Sequence, residues 1–272
     1  SLAYFYAIEG VAYDADTFGE TDSTTGIWKP KLNPSVTYAN NSFFLKFENT
    51  SDFGEDSSGN NNDLTVNGTV TQTIDTPSNV FATLNPLQFI GSTVPNTSFS
   101  NGNLSVSTTT TSGADSDVFG TLGVSQGKWY YEYKFTGGNT GMAAGWRGED
   151  GDRMAYYSGN GYKYDESGSS AYGASYTTND IIGVAADLDN GNLTFYKNGT
   201  SQGEITNAFS LANGQYYQPF LWEGSGSLYI TCDVNFGNGY FGTTAVASAG
   251  TNAGIGTFEY DVPSGYKALC TK

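Results

Sequence analysis

The chain has no histidine, only two cysteines and two methionines, and eleven basic residues against twenty-seven acidic ones. Each shortage excludes something. Without histidine the usual general base and the commonest zinc ligand are missing. Cys232 and Cys270 are too few for a disulfide framework. Cys232 alternates with Leu228, Ile230, Val234 and Phe236 and reads as a buried thiol. A bridge to Cys270 stays open, subject to the strict geometry of that bond. Arg147 and Arg153 are the only arginines, and the formal charge is −16. Such a chain repels phosphate backbones and anionic bilayers, so no nucleic acid is expected as a partner. No apolar run approaches a membrane span, and no window keeps a 3.6-residue apolar period. We therefore expect no membrane insertion and very little helix.

What is plentiful points one way. Thirty-six Gly, twenty Tyr and seventeen Phe, with many Thr, Ser and Asn, favour strands and turns. The stretch 180–199, DIIGVAADLDNGNLTFYKNG, is the organising hairpin. Ile182, Val184, Ala186 and Leu188 lie at period two, and Asn190-Gly191 offers the φ > 0 pair of a two-residue type I′ turn. Leu193 and Phe195 then resume the apolar face. The opposite face, Ile181, Gly183 and Ala185, is small or apolar too, which predicts a central strand covered on both sides. In 129–135, Trp129, Tyr131, Tyr133 and Phe135 share a face and read as core, with Tyr130, Glu132 and Lys134 opposite. Further strands are expected at 3–12, 43–48, 64–68, 104–108, 142–146, 217–222 and 228–236. Residues 71–100, with Pro77, Pro86 and Pro95, read as an irregular seam. The fold class is all-β, an antiparallel two-sheet β-sandwich (76–272) with an irregular N-terminal extension (1–75) acting as a joint.

Candidate site residues gather in 147–164, RGEDGDRMAYYSGNGYKY, read as a long surface loop. Arg147, Asp152, Arg153, Tyr156, Tyr157 and Tyr162 mix charge with rigid aromatic area, the composition of recognition surfaces. The competing reading packs those tyrosines on the sandwich rim. Trp222, before Glu223-Gly224-Ser225-Gly226, is a further candidate. Asp52, Glu55, Asp56 and Asp63 offer oxygen ligands to calcium from one Gly/Asn-rich loop, although the spacing is not that of an EF-hand and a solvated turn is the simpler reading. Asp187 and Asp189 read as turn chemistry. No G-x-S-x-G elbow or metal cluster occurs, and the carboxylates lie mostly in loops. We expect no enzyme activity, no catalytic residues and no cofactor.

The order GKWYYEYKF (127–135), AAGWR (143–147), YGASYTTNDIIGVAADLDNGNLTFYKNG (172–199) and PFLWEGSGSLYITCDVNFG (219–237) resembles the SPRY domain, a concanavalin A-like sandwich or jelly roll. That resemblance implies partner binding by inter-strand loops at one rim. FGETDSTTGIWKPK (18–31), FFLKFENTSDFGEDSSGNNNDLTVNG (43–68), DTPSNVFATLNPL (75–87) and VPSGYKALCTK (262–272) resemble segments around SPRY-like domains in bacteriophage virion proteins. DSSGNNNDLTVNG is also similar to the opening of laminin G-like lectin modules. These resemblances imply a tail-fibre or appendage component in the virion, a piece of something larger. Its partners would be a host-surface glycan or protein and other virion subunits, with a homotrimer as the default state. A purely structural virion protein and a cellular SPRY adaptor for a short peptide are the alternatives.

Overall fold

The computed structural model describes residues 4–21, 28–31, 33–68, 70, 72, 79–90, 96–109, 116–138, 142–148, 153–165, 168–211, 215–223, 229–247 and 254–271. The chain divides into two compact units, residues 1–80 with 271–272, and residues 81–270. The smaller unit runs β1 (Phe5–Ala7), α1 (Ala15–Phe18), β2 (Gly19–Thr21), β3 (Trp28–Pro30) and β4 (Phe43–Leu45). β1 pairs antiparallel with β4, and β2 with β3. Its interior is aromatic: Tyr6 stacks on Phe44 at 4.1 Å, and Phe18 leans on Tyr6. The indole of Trp28 lies over Gly19, where any Cβ would collide with it. The strand expected at 3–12 is only three residues long, and 64–68 joins no ladder.

The larger unit is a sandwich of two sheets. Its strands are β5 (Leu84–Ile90), β6 (Asn96–Ser100), β7 (Ser105–Thr109), β8 (Ser116–Gly120), β9 (Lys128–Gly138), β10 (Met142–Gly148) and β11 (Arg153–Ser158). There follow β12 (Tyr162–Asp165), β13 (Gly168–Ala171), β14 (Ile181–Asp187), β15 (Asn192–Lys197), β16 (Thr200–Ile205), β17 (Tyr217–Glu223) and β18 (Tyr229–Asn235). Short pieces β19 (Tyr240–Phe241), β20 (Thr244–Ala245) and β21 (Lys267–Ala268) close the chain. One sheet has seven strands in the order β13-β12-β11-β10-β17-β8-β5. The other has eight, with β16-β15-β14-β9-β18-β7-β6 as its path and β21 beside β9. Among the described residues every pairing between named strands is antiparallel except β21 with β9. The all-β sandwich expected from the sequence is the observed architecture.

Period-two alternation fills the space between the sheets. Tyr131, Tyr133 and Phe135 from β9, Ile182, Val184 and Ala186 from β14, and Met142, Ala144 and Trp146 from β10 share one cluster. All seven residues of β14 are buried, as expected for a central strand. Tyr130 and Glu132, on the other face of β9, are buried as well. There the residues around Phe258 cover them, and the Tyr130 ring meets Phe258 edge-on at 5.0 Å.

Three expectations need correction. The hairpin turn spans Leu188–Gly191, four residues between the Asp187–Asn192 pair, with φ positive at Gly191 alone. Asp187 has displaced the type I′ geometry: its Oδ1 accepts from the N–H groups of Asp189 and Asn190. Residues 71–100, expected to be irregular, hold two paired strands, β5 and β6. Both are edge strands, where Pro86 withholds no ladder hydrogen bond from a neighbour. And 147–164 is not a loop: it carries the end of β10, then β11 and the start of β12.

Candidate functional site

A period-two strand sends neighbours to opposite faces, and in the seven-stranded sheet both faces are apolar. Val118, Ala144, Trp146 and Leu221 point between the sheets. Phe119, Ala143 and Phe220 form a second cluster on the outer face, with Tyr164 and Trp222 packed against it. The register sets them in two adjacent rows: Gly145 opposes Phe220, which opposes Phe119, and Ala143 opposes Trp222, which opposes Asp117. Phe119 and Phe220 stack at 6.4 Å, and Tyr164 meets Trp222 at 6.0 Å with the rings tilted by 49°. Beside these rings the outer face carries charge. Arg147, itself buried, forms an ion pair with Asp117 and holds its guanidinium 6.0 Å from the Phe119 ring centroid. Asp117 is 2% exposed, and its Oδ1 is buried without a hydrogen-bond partner.

The structure distributes the expected site residues unevenly. Arg147 and Trp222 meet on this outer face, and Tyr162, 42% exposed, stands on β12 two residues before Tyr164. Tyr157 has gone to the other side. It is fully buried against Tyr172, Tyr176 and Phe195, and burial pushes its hydroxyl up to about 12. It packs inside the sandwich, in the main core rather than on the rim. Asp152 and residues 224–226 lie outside the described residues, as do the side chains of Arg153 and Tyr156. By backbone register, Tyr156 pairs with Gly145 and Tyr164, and Arg153 with Arg147. The sequence reading missed Asp117 and Phe119, because DVFG is too short to show alternation between its Gly- and Ser-rich neighbours. Phe220 is buried on this outer face.

The acidic loop of the smaller unit is tied up by its own side chains. Asp56 accepts from the N–H groups of Phe44, Ser58 and Asn62 and from the Ser58 hydroxyl. These donors fill the roughly four acceptor positions of a carboxylate and hold it below the usual range despite burial. Asp63 accepts from Asp56 N–H, Asp52 from Gly54 N–H, and Glu55 from the Asn49 amide. Asn60 and Asn62 then stitch the loop to the carbonyls of residues 39–42. Among the described residues no group of three or more acidic, Cys or His side chains is placed to hold a metal ion. The carboxylates of this loop cap its own backbone N–H groups. A polar cavity of about 380 Å³ beside it is lined by Lys46, Glu48, Asp52 and Glu55. In the larger unit Cys232 is buried, its thiol pushed far up by desolvation, and no disulfide joins it to Cys270.

Comparison with known proteins shows what the middle of the chain is similar to. The SPRY domain model matches residues 128–239, from the start of β9 to just past β18. The match includes β10, β12 and β17, which carry most of the outer-face rows, and leaves both flanks outside. No curated protein sequence matches the chain. Among solved structures, the crystal structure of the SPRY domain of human HERC1 is similar at 18% identity and a TM-score of 0.42, covering 55% of this chain and 97% of that one.

Proposed function

We propose that this chain is a non-enzymatic binding module of a phage particle, a tail fibre or surface appendage, and that the outer face of its seven-stranded sheet holds a host-surface glycan. One observation carries the reading. Tyr164 and Trp222 make an aromatic shelf on a face already filled by Phe119 and Phe220, with charged Arg147 and Asp117 beside it. Aromatic faces stack against sugar C–H groups while carboxylates take their hydroxyls. A partner-binding role is in keeping with the SPRY match, and the phage setting rests on the likeness of the flanks to virion proteins. The absence of histidine from the whole chain supports a module that binds without catalysis. Each site is expected to be weak, with a homotrimeric fibre binding by avidity. A glycan array probed with the purified protein tests this: Trp222→Ala and Tyr164→Ala should each abolish retention. Retention unchanged in both variants would remove the site.

A second reading concerns residues 1–75 as a joint to other virion subunits. Phe5, Val11, Trp28, Leu64, Val66 and Val70 are all more than 40% exposed. So much exposed apolar side chain in one small unit favours protein contact. Light scattering after size exclusion decides it: a trimer that Trp28→Ser and Phe5→Ser convert to monomer is expected, and a wild-type monomer at high concentration counts against the joint.

A further inference from the structure

The charge pair on the outer face is incompletely satisfied. Asp117 gives Oδ2 to Arg147, while Oδ1, shielded from water, accepts nothing. Buried carboxylate oxygens are normally hydrogen-bonded, and one left bare is a standing cost to the fold. The bare oxygen is an acceptor and asks for a donor. It lies in register with Trp222, whose ring contacts Tyr164. Resting on the reading of this face as the binding surface, we propose that Asp117 is its specificity-determining residue: Oδ1 accepts a hydrogen bond from a hydroxyl of an uncharged sugar whose C–H face lies on Trp222 and Tyr164.

The charge balance selects the ligand class. Arg147, the cation described on this face, is committed to Asp117, and the chain as a whole carries −16. A sialylated or sulfated sugar would meet a carboxylate and a repelling field. A neutral sugar offers what the face takes, a donor hydroxyl next to an apolar ring face. Because Oδ1 is shielded, a side chain on the face must swing aside for the hydroxyl to reach it. The bond then forms in a low-dielectric setting, where an ionised acceptor counts for more than in water.

The test is a comparison on both sides of the bond. The wild-type protein is screened on an array of neutral, sialylated and sulfated oligosaccharides together with an oligolysine peptide. The tightest neutral binder is then titrated calorimetrically as its set of mono-deoxy analogues. In the wild type, one deoxy position should lose about tenfold or more in affinity. In Asp117→Ala that analogue and its parent should bind alike, with the other deoxy effects preserved. Should Asp117→Ala give no cooperative melt, Asp117→Asn, which keeps the volume, carries the comparison, and the discriminating deoxy effect should shrink at least threefold. Equal deoxy profiles in wild type and variant overturn the assignment to Asp117. So does a preference for sialylated or sulfated sugars or for the cationic peptide. Trp222→Ala separates the two levels: if it binds neutral glycans like the wild type, or if none is bound at all, the site itself is wrong.

Discussion

Glu132 shows how far one side chain can depart from what its neighbours in sequence suggest. It stands between two tyrosines on the face that alternation leaves to solvent, yet it is completely buried. Its oxygens accept from the N–H groups of Glu259 and Tyr260 and from the Tyr130 hydroxyl, with Asn235 Nδ2 at 3.5 Å. Desolvation outweighs these donors and pushes the carboxyl up from 4.5 to about 7. The folded chain therefore holds a proton that the unfolded chain has released between those values. The stabilisation is fully present below about pH 4.5 and is lost as pH rises towards about 7, on the order of 3 kcal/mol in all. Urea midpoints measured from pH 5 to pH 8 should fall across this window in the wild type and stay nearly level in Glu132→Gln. Gly183 is constrained from the same side, since a Cβ there would sit 2.2 Å from the Tyr130 Oη. Gly183→Ala should cost about 1–3 kcal/mol by overpacking, read as a lower urea midpoint with unchanged slope.

At the scale of elements, the β14–β15 hairpin is the frame and the neighbouring sheet is the surface. The four-residue turn needs Gly191 at φ +74°, with the Phe209 carbonyl 3.1 Å from where a Cβ would stand. Gly191→Val should destabilise by about 1–3 kcal/mol, measured by thermal melt, with any loss of binding only following from unfolding. β10 and β17 divide their side chains between two clusters, which is why Trp146 is pure core while its neighbour Arg147 takes part in the candidate site. The loop from Asn49 to Asp63 is an element of another kind, closed by carboxylates that cap backbone N–H groups. Adding millimolar calcium, or removing it with EDTA, should leave the melting temperature where it is. A rise of several degrees with calcium would mean that Asp56 trades its donors for the ion.

For the whole molecule the dominant fact is charge. Twenty-seven acidic side chains against eleven basic ones repel one another across a 272-residue chain. Screening by salt should relieve that repulsion, so the melting temperature should rise between 20 mM and 500 mM sodium chloride. Some acids are already compensated locally: Lys128 reaches Asp187 at 2.8 Å and Lys197 reaches Asp180 at 3.2 Å. A flat salt response would show that such pairs neutralise the field.

Composition and period-two patterning were enough to determine an all-β sandwich, the central hairpin and the core face of 129–135. These follow from local rules, since alternation and turn residues act within a few positions of one another. Arg147 and Trp222 were legible as candidates because charge and aromatic rings in one segment are visible in a line of text. What only the tertiary structure decided is which face each residue takes and what lies across the sheet from it. Tyr157 and Tyr164 look equivalent in YYSGNGYKY, yet one fills the core and the other lines the outer face. Asp117 becomes a partner for Arg147 through pairings among β8, β17 and β10 that bring together residues some thirty to one hundred positions apart. No pattern local to DVFG contains that information. It resides in strand order and register, which are set by how the whole sandwich buries its apolar faces.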